Sequence, residues 1–185
     1  MNVLLHICCG PCAITPVNLL RTEGHEVAGF FYNPNIHPFS EYRRRYEAVV
    51  VRNELFALDM LYHSYDFEEF MKKIVLLADR NKQHQLCWKI RLEETAKVAK
   101  KEGFKGFTTT LLSSPYQDIV YIAGLGQRIA QDNDLDFLNL NFRKGFAESH
   151  KISKDWRLYH QNYCGCLYSE KESLEQKLKK AAKDG

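Results

Sequence analysis

Short apolar runs alternate along the chain with amphipathic segments of helical length. The short runs are rich in Val, Leu, Ile and Phe, which is typical of buried β-strands, whereas the amphipathic segments have the apolar spacing of helices. Five strands are predicted, over residues 3–7, 26–32, 60–63, 104–109 and 136–140. Helices are predicted over residues 11–23, 40–58, 66–80, 87–101, 114–133 and 169–183, with Ser40 as the N-cap of the second helix.

This alternation predicts an α/β fold with three layers, in which helices cover both faces of a mainly parallel, Rossmann-like sheet. The 185 residues contain no repeat and no low-complexity linker, so one domain over residues 1–185 is expected. Ligands of such folds bind beyond the carboxyl ends of the strands. The loops that follow the first, second and fourth strands should therefore share one rim.

The overall composition is 45% apolar and 26% charged with a net charge of +3, which is typical of a globular protein and does not by itself indicate a nucleic-acid partner. No apolar run approaches the roughly 18 residues of a membrane span, and the N-terminus lacks the pattern of a signal peptide. We therefore expect a cytoplasmic protein without a membrane partner. Three basic groups are typical of solvated faces and are also candidates for phosphate contacts: Arg43-Arg44-Arg45, Arg143-Lys144 and residues 177–183.

Five of the six cysteines form two clusters, one directly after the first strand and one near the C-terminus. The first contains Cys8, Cys9 and Cys12. Because unpaired N–H groups at the start of a helix favour negative charge, thiolates are expected there, and thiolate is the form that binds metal. In a cytoplasmic protein, clustered thiols indicate a metal site or redox chemistry more often than structural disulfides.

A second candidate element, His84 and Cys87, has two residues between its potential ligands. A four-ligand centre would combine Cys8, Cys9 and Cys87 with either Cys12 or His84. Zinc accepts such a mixed set, and an iron–sulfur cluster prefers thiolates alone. The sequence leaves both ligand sets open.

The C-terminal cluster is Cys164-Gly165-Cys166, with one residue between its thiols. A disulfide across so short a loop is strained and easily reduced, which favours redox exchange over further metal ligation.

The rim loops add polar and aromatic groups suited to a small polar ligand or a nucleotide, and Tyr42 and Tyr116 are suited to stack on a base. The glycine-rich phosphate loop of ATP-dependent enzymes is absent, because cysteines stand in its place after the first strand.

Together these motifs resemble the QueH family, the cobalamin-independent epoxyqueuosine reductases. The double cysteine with the terminal Cys-Gly-Cys is the specific part of a resemblance that runs over nearly the whole chain. The motifs that carry it are His6-Ile7-Cys8-Cys9-Gly10-Pro11-Cys12, Tyr32-Asn33-Pro34-Asn35-Ile36-His37-Pro38, Glu41-Tyr42, Cys87 with Arg91-Leu92, Thr95-Ala96, Thr109-Thr110-Leu111, Ser114-Pro115-Tyr116-Gln117, Arg143-Lys144-Gly145 and Gln161-Asn162-Tyr163-Cys164-Gly165-Cys166.

The resemblance implies a fold similar to that of adenine-nucleotide α-hydrolases. It also implies a 4Fe–4S cluster held by Cys8, Cys9 and Cys87, and a redox-active pair, Cys164 and Cys166. The chain departs from the family pattern at His84, which replaces the first cysteine of a Cys-x-x-Cys. Either His84 or Cys12 would then complete the cluster, or one iron would lack a protein ligand. A further iron held partly by Cys12 would make that cysteine catalytic. Asn141 and His160 also depart from the family pattern.

The activity implied is the two-electron reduction of epoxyqueuosine to queuosine at the wobble position of tRNA, with an electron donor as a second partner. His37, Tyr116 and Tyr163 are the candidate proton donors. The basic groups are expected to contact tRNA phosphates. Two other functions are compatible with the residues: a zinc-binding module without redox activity, and a tRNA sulfur-transfer enzyme on the same fold.

Overall fold

The computed structural model describes residues 1–77 and 79–184, with side chains described up to residue 182. Its strands are β1 Asn2–His6, β2 Glu26–Phe31, β3 Asp59–Tyr62, β4 Gly106–Thr109 and β5 Asp136–Phe137. Its α-helices are α1 Gly10–Thr22, α2 Phe39–Tyr46, α3 Phe67–Ile74, α4 Arg80–Lys101, α5 Ile119–Asn133, α6 Phe146–Asp155 and α7 Leu167–Asp184. None of the described helices is long and apolar enough to cross a bilayer.

The strands form one parallel sheet in the order β3-β2-β1-β4-β5. The central strand β1 is buried, and its Leu4 is in register with Ala28 of β2 and Phe107 of β4. Helices cover both faces, with α1 packed on α6 and α4 packed on α5. Apolar side chains at these interfaces form a continuous core. The predicted three-layer α/β/α fold is confirmed.

The long helix predicted over residues 40–58 is wrong beyond Tyr46. A π-helical turn, Glu47–Val51, and a 3-10 turn, Asn53–Leu55, follow α2. Three consecutive valines in this stretch lower the helix propensity, because β-branched side chains crowd the preceding turn. Ser40 is not the N-cap either, since α2 begins one residue earlier and its N-cap is Pro38.

Three further helices differ from their predicted bounds. Helix α5 begins at Ile119 rather than residue 114, because the Asp118 side chain caps it by accepting a hydrogen bond of 3.0 Å from the backbone N–H of Tyr121. The helix predicted over residues 66–80 ends at Ile74, and position 78 lies outside the described residues. Helix α4 begins at Arg80 rather than residue 87, because the Asp79 side chain accepts a hydrogen bond of 2.8 Å from the backbone N–H of Lys82 and caps the helix. Helix α6 was not predicted at all.

Two glycines of α5 test how closely this helix packs on the sheet. A Cβ at Gly126 would lie 2.5 Å from the ring of Phe137, whereas the nearest atom to a Cβ at Gly124 is 3.9 Å away. Gly126→Ala should therefore lower the free energy of unfolding by about 1–3 kcal/mol through overpacking. Gly124→Ala should raise it by about 0.5–1 kcal/mol, because alanine favours the helix.

Urea denaturation of both variants would measure the difference. The two substitutions are chemically identical and two positions apart on one helix, so helix propensity cancels between them. Equal effects would show that α5 does not approach β5 as closely as described.

Candidate active site

A cavity of about 780 Å³ opens at the carboxyl ends of the strands, as the fold predicts. Residues that follow β1, β2 and β4 line it, together with one face of α4 and the segment before α7. The cavity brings together cysteines from all three parts of the chain. Its lining includes Cys8, Cys12, Cys87, Cys164 and Cys166.

The first cysteine cluster lies where β1 passes into α1. Cys9 is the N-cap of α1, and the turn places the sulfur atoms of Cys8, Cys9 and Cys12 within 4.8 Å of one another. Thr110, which follows β4, binds the same loop. Its hydroxyl accepts from the backbone N–H of Cys8 at 3.1 Å and lies 3.3 Å from the Cys8 sulfur. The segments that follow the adjacent strands β1 and β4 thus fix the positions of these three cysteines.

The three thiols of this group have different acidities. Hydrogen bonds from Cys12 and Cys9 lower the pKa of Cys8 well below its ordinary value, although burial opposes the shift. Burial raises the pKa of Cys9, and the hydrogen bond with Cys8 raises the pKa of Cys12. The pKa shifts therefore favour a thiolate at Cys8 over one at Cys9 or Cys12, and an arrangement of one thiolate among three sulfur atoms is suited to binding a cation.

Helix α4 presents a polar face to the cavity. Because it begins at Arg80, residues His84, Cys87 and Arg91 lie on successive turns, and all of them line the cavity. His84 contacts the other thiol pair, with its Nε2 at 3.4 Å from the Cys166 sulfur. Neither His84 nor Cys87 belongs to the three-sulfur group within 4.8 Å.

The loop that carries Cys164 and Cys166 is held by its backbone. The buried guanidinium of Arg45 donates to the carbonyl of Cys164 at 2.8 Å and to that of Tyr163 at 2.9 Å. The N–H of His37 donates to the carbonyl of Gly165 at 2.7 Å. Gly165 has a φ of +137°, a conformation that side chains disfavour, so glycine is required between the two cysteines.

Both thiols of the pair are free, and their surroundings differ. Gln117 Nε2 donates to the Cys164 sulfur at 3.1 Å, while burial raises the pKa of Cys164. Burial also opposes ionisation of Cys166, but hydrogen bonds with His84 and Ser169 lower its pKa to about 7. One thiol of the pair is thus poised to ionise near neutral pH while its neighbour stays protonated, which is suited to thiol–disulfide exchange.

Arg45 is buried in an ion pair and is not available for the expected phosphate contact. Its side chain is 1% exposed and pairs with Glu41 at 2.8 Å, while Tyr159 donates to the other oxygen of the same carboxylate. Arg143 is also engaged, since it donates to the carbonyl of Ser114 at 3.0 Å and to that of Gln117. The prediction that Arg45 contacts a phosphate is therefore wrong, whereas the same prediction for the partly exposed Arg143 stays a prediction. The exposed side chains of the three basic groups are Arg43, Arg44, Lys144, Lys177, Lys179 and Lys180, and that of residue 183 lies outside the described residues.

Arg45, paired with Glu41, clamps the loop that carries Cys164 and Cys166, and the ion pair of Arg43 with Glu47 provides a matched control for this clamp. Arg45 and Glu41 are 1% and 4% exposed, whereas Arg43 and Glu47 are 72% and 51% exposed at the same four-residue spacing. Arg45→Met should lower the free energy of unfolding by about 3 kcal/mol, because it leaves Glu41 buried and unpaired. Arg43→Met should change it by no more than about 0.5 kcal/mol.

Urea denaturation measures both changes. A faster reaction of Cys164 and Cys166 with an alkylating reagent in Arg45→Met alone would show that the clamp holds the thiol loop. Equal stabilities of the two variants would contradict the burial of the Arg45 pair.

The three candidate proton donors lie in different places. Tyr116 lines the cavity and is 88% exposed at its mouth. Tyr163 also lines the cavity, but its hydroxyl donates to the backbone carbonyl of His37, and burial raises its pKa. His37 is not among the residues that line the described cavity, and burial lowers its pKa.

Several contacts to the sulfur atoms were not predicted. Gln161 Nε2 donates to the Cys9 sulfur at 2.7 Å and lies 3.6 Å from the Cys12 sulfur. Thr110 and Arg91 also reach the cysteine-bearing segments, and Arg91 donates to the Cys87 carbonyl at 3.2 Å. The sequence signal for these residues was their place in the motifs. Local spacing does not link Thr110 or Gln161 to a cysteine, because they lie 102 and 152 positions from Cys8 and Cys9.

The donor set fits an iron–sulfur centre. Two of the three clustered thiols, Cys8 and Cys12, line a cavity that Cys87 also lines, and thiolates are the ligands that such clusters prefer. A buried arginine, Arg91, supplies positive charge beside them, and its Nη2 has no partner among the described residues. A cluster with thiolate ligands would provide the negative charge that this cation lacks.

Comparison with known proteins finds relatives over nearly the whole length of the chain. A family profile described as "Epoxyqueuosine reductase QueH" matches residues 3–172. The chain is 37% identical to the epoxyqueuosine reductase QueH of Thermotoga maritima, with 100% of this chain and 98% of that protein aligned. It is 36% identical to the Helicobacter pylori protein of the same name, over 94% of this chain and 50% of that protein.

Among solved structures, the fold is similar to that of the U34-tRNA thiolase NcsA from Methanococcus maripaludis, which was solved with its [4Fe-4S] cluster. The TM-score is 0.58 at 16% identity, and the alignment covers 94% of this chain and 63% of the thiolase. At this identity the similarity concerns the fold alone.

Proposed function

Since the chain belongs to the epoxyqueuosine reductase QueH family, we propose that it reduces epoxyqueuosine to queuosine in tRNA, with a 4Fe–4S cluster and the Cys164/Cys166 pair in one cavity. The observation that carries this proposal is the convergence of cysteines from three distant segments on that cavity. Packing alone does not gather free thiols in this way, whereas a redox site needs them together.

For the cluster we propose Cys8, Cys9, Cys12 and Cys87 as ligands. The first three are supported by their mutual sulfur distances within 4.8 Å, and Cys87 by its place in the lining of the same cavity. His84 is the weaker choice because its Nε2 is already 3.4 Å from the Cys166 sulfur. When bound, a cluster of this type supplies single electrons at a low-dielectric site.

The reaction needs two electrons and two protons, because opening an epoxide to an alkene releases one water. Oxidation of the Cys164 and Cys166 thiols to a disulfide releases two electrons and two protons, so the pair balances the reaction. An external reductant must then restore the dithiol before the next turnover. The low pKa of Cys166, about 7, supports a thiolate that is ready to react.

Tyr116 is the proton donor that we propose for the leaving oxygen. It lines the cavity, whereas the Tyr163 hydroxyl is engaged with a backbone carbonyl and His37 does not line the described cavity. Its exposed ring also stands where the target nucleotide must enter, because 88% of Tyr116 is open to solvent at the mouth.

The exposed lysines of α7 are the residues that we propose to contact tRNA phosphates. They are Lys177, Lys179 and Lys180.

The experiment that tests the proposal is anaerobic incubation of the purified protein with tRNA that contains epoxyqueuosine and with a low-potential reductant. Nucleoside mass spectrometry should show queuosine, and iron and acid-labile sulfide should be present in the protein. The family match does not favour the two other functions. Zinc without labile sulfide would indicate the binding module, and product formation that requires ATP would indicate sulfur transfer.

A further inference from the structure

Gln117 connects a buried tryptophan to one thiol of the Cys164/Cys166 pair. Its side-chain amide lies between the indole of Trp88, with 2.9 Å from Nε1 to Oε1, and the sulfur of Cys164, with 3.1 Å from Nε2 to Sγ. All three residues line the cavity. The backbone of Gln117 is held as well, because Arg143 donates to its carbonyl. Both polar ends of the amide therefore have fixed partners.

The indole of Trp88 determines which end of the amide faces the sulfur. An indole N–H can only donate, so the amide atom that it contacts must be the oxygen. The other end of the amide is its NH₂ group, which also can only donate. The sulfur of Cys164 is therefore the acceptor in this contact. A donor held in this way favours negative charge on the sulfur, because hydrogen bonds to charged groups are the stronger ones.

Cys164 is the thiol of the pair that ionises less readily. Burial raises its pKa, whereas the pKa of Cys166 is about 7, so Cys166 ionises near neutral pH while Cys164 keeps its proton. Charges on Cys8 and Cys166 also disfavour a thiolate at Cys164, and those of Arg91 and Arg45 favour it. Since a disulfide forms only when both sulfur atoms have lost their protons, the ionisation of Cys164 is the step that needs a hydrogen-bond donor.

We propose that Gln117, oriented by Trp88, stabilises the transient thiolate that Cys164 forms when it closes the disulfide with Cys166. The inference rests on the proposed redox role of this pair. In the described part of the chain, the Gln117 amide is the side chain that donates to the Cys164 sulfur. It touches a reacting atom, so its role is catalytic, whereas Trp88 has a positioning role because it acts through the amide.

Oxidised glutathione separates the contributions of the two thiols, because it forms the protein disulfide in two displacements. The Cys166 thiolate first attacks one glutathione sulfur, which forms a mixed disulfide and releases one glutathione thiolate. Cys164 then loses its proton to solvent and attacks the Cys166 sulfur, which closes the protein disulfide and releases the second glutathione thiolate. The first step depends on the Cys166 thiolate and the second on the Cys164 thiolate. A defect at Cys164 should therefore make the mixed disulfide accumulate.

The test is the time course of this reaction in the anaerobically purified holoprotein, quenched with acid and followed by mass spectrometry. Gln117→Met keeps a side chain of similar length but removes the donor. It should slow the second step about fivefold or more and leave the first step within about twofold of the wild-type rate. Loss of a hydrogen bond to a charged group lowers the thiolate fraction about tenfold, and the higher nucleophilicity of a more basic thiolate offsets part of that loss.

The two tryptophans of the chain provide a matched control for the orientation of the amide. Trp88→Phe should slow the second step, because the amide is then free to turn its oxygen towards the sulfur. Trp156→Phe removes the same N–H from a ring that packs on Phe56 and does not line the described cavity, so both rates should stay at wild-type values. In a Gln117→Met background, Trp88→Phe should not slow the second step further.

Closure of the disulfide at the wild-type rate in Gln117→Met would overturn the inference. An equal change of both steps would also overturn it, because altered access to the pair would then be responsible. If Gln117→Met fails to fold, the double variant with Trp88→Phe decides, since it removes both partners and leaves no buried N–H unpaired. Failure of the proposed function is separate, because the reaction with oxidised glutathione needs no tRNA.

Discussion

A Cys8→Ser variant is expected to be purified with iron and acid-labile sulfide close to background and without the visible absorption of a cluster. Cys8 is the thiol of the Cys8, Cys9 and Cys12 group whose pKa is lowered, and it lines the cavity. Serine has a hydroxyl that does not ionise near neutral pH, so this ligand would be lost. Loss of a residue that only hydrogen-bonds to a metal ligand lowers metal affinity about 10- to 100-fold, and loss of a ligand itself should exceed that.

The control is Cys166→Ser, which removes one thiol from the same cavity but leaves the proposed ligand set complete. It should retain iron and sulfide at the wild-type ratio. Thermal unfolding gives an independent measure, because a bound group stabilises the folded state and its loss should lower the midpoint in Cys8→Ser more than in Cys166→Ser. Full iron content in Cys8→Ser would contradict the proposed cluster site.

The same measurement distinguishes the two candidates for the remaining ligand. If Cys12 is a ligand, Cys12→Ser should lose iron as Cys8→Ser does, whereas His84→Gln should retain it. The opposite result would support the alternative in which His84 completes the set. Retention of iron in both variants would indicate an iron without a fourth protein ligand.

A Cys164→Ser variant should lose multiple turnover by at least about a thousandfold, which corresponds to about 4 kcal/mol in activation free energy. The pair has to store two electrons, and one thiol alone cannot form the internal disulfide. The substitution should be mild for the fold, because the serine hydroxyl can accept the hydrogen bond that Gln117 donates to the Cys164 sulfur at 3.1 Å.

Nucleoside mass spectrometry over many equivalents of epoxyqueuosine-containing tRNA would measure this loss. Iron content and the Kd for tRNA serve as controls, and both should stay at wild-type values in Cys164→Ser. The expected pattern is therefore a protein that binds its cluster and its substrate but does not turn over. Full multiple-turnover activity in this variant would exclude the thiol pair from the reaction.

The cysteine motifs indicated a metal or redox site, and the place of Cys8 after β1 indicated the correct rim of the sheet. The pattern of apolar positions predicted too long a helix after residue 40, because α2 is followed by a π-helical turn that contains three valines. It also missed that α4 begins at Arg80, seven residues earlier than predicted, which places His84 on the same helical face as Cys87. Helix termini depend on single capping side chains such as Asp79, and these are weak signals in a sequence.

The sequence by itself determined the α/β class, because apolar runs and amphipathic segments are local features that follow the periods of strands and helices. Only the tertiary structure decided which polar residues act together. Arg45 binds the Cys164 carbonyl across 119 positions, and Gln161 binds the Cys9 sulfur across 152. Such pairs follow from the order of the strands and the packing of helices on them, and no local periodicity encodes that order. For the same reason Arg45, which resembles part of a basic surface run, is in fact buried inside the fold, and Arg143 is held by two backbone carbonyls.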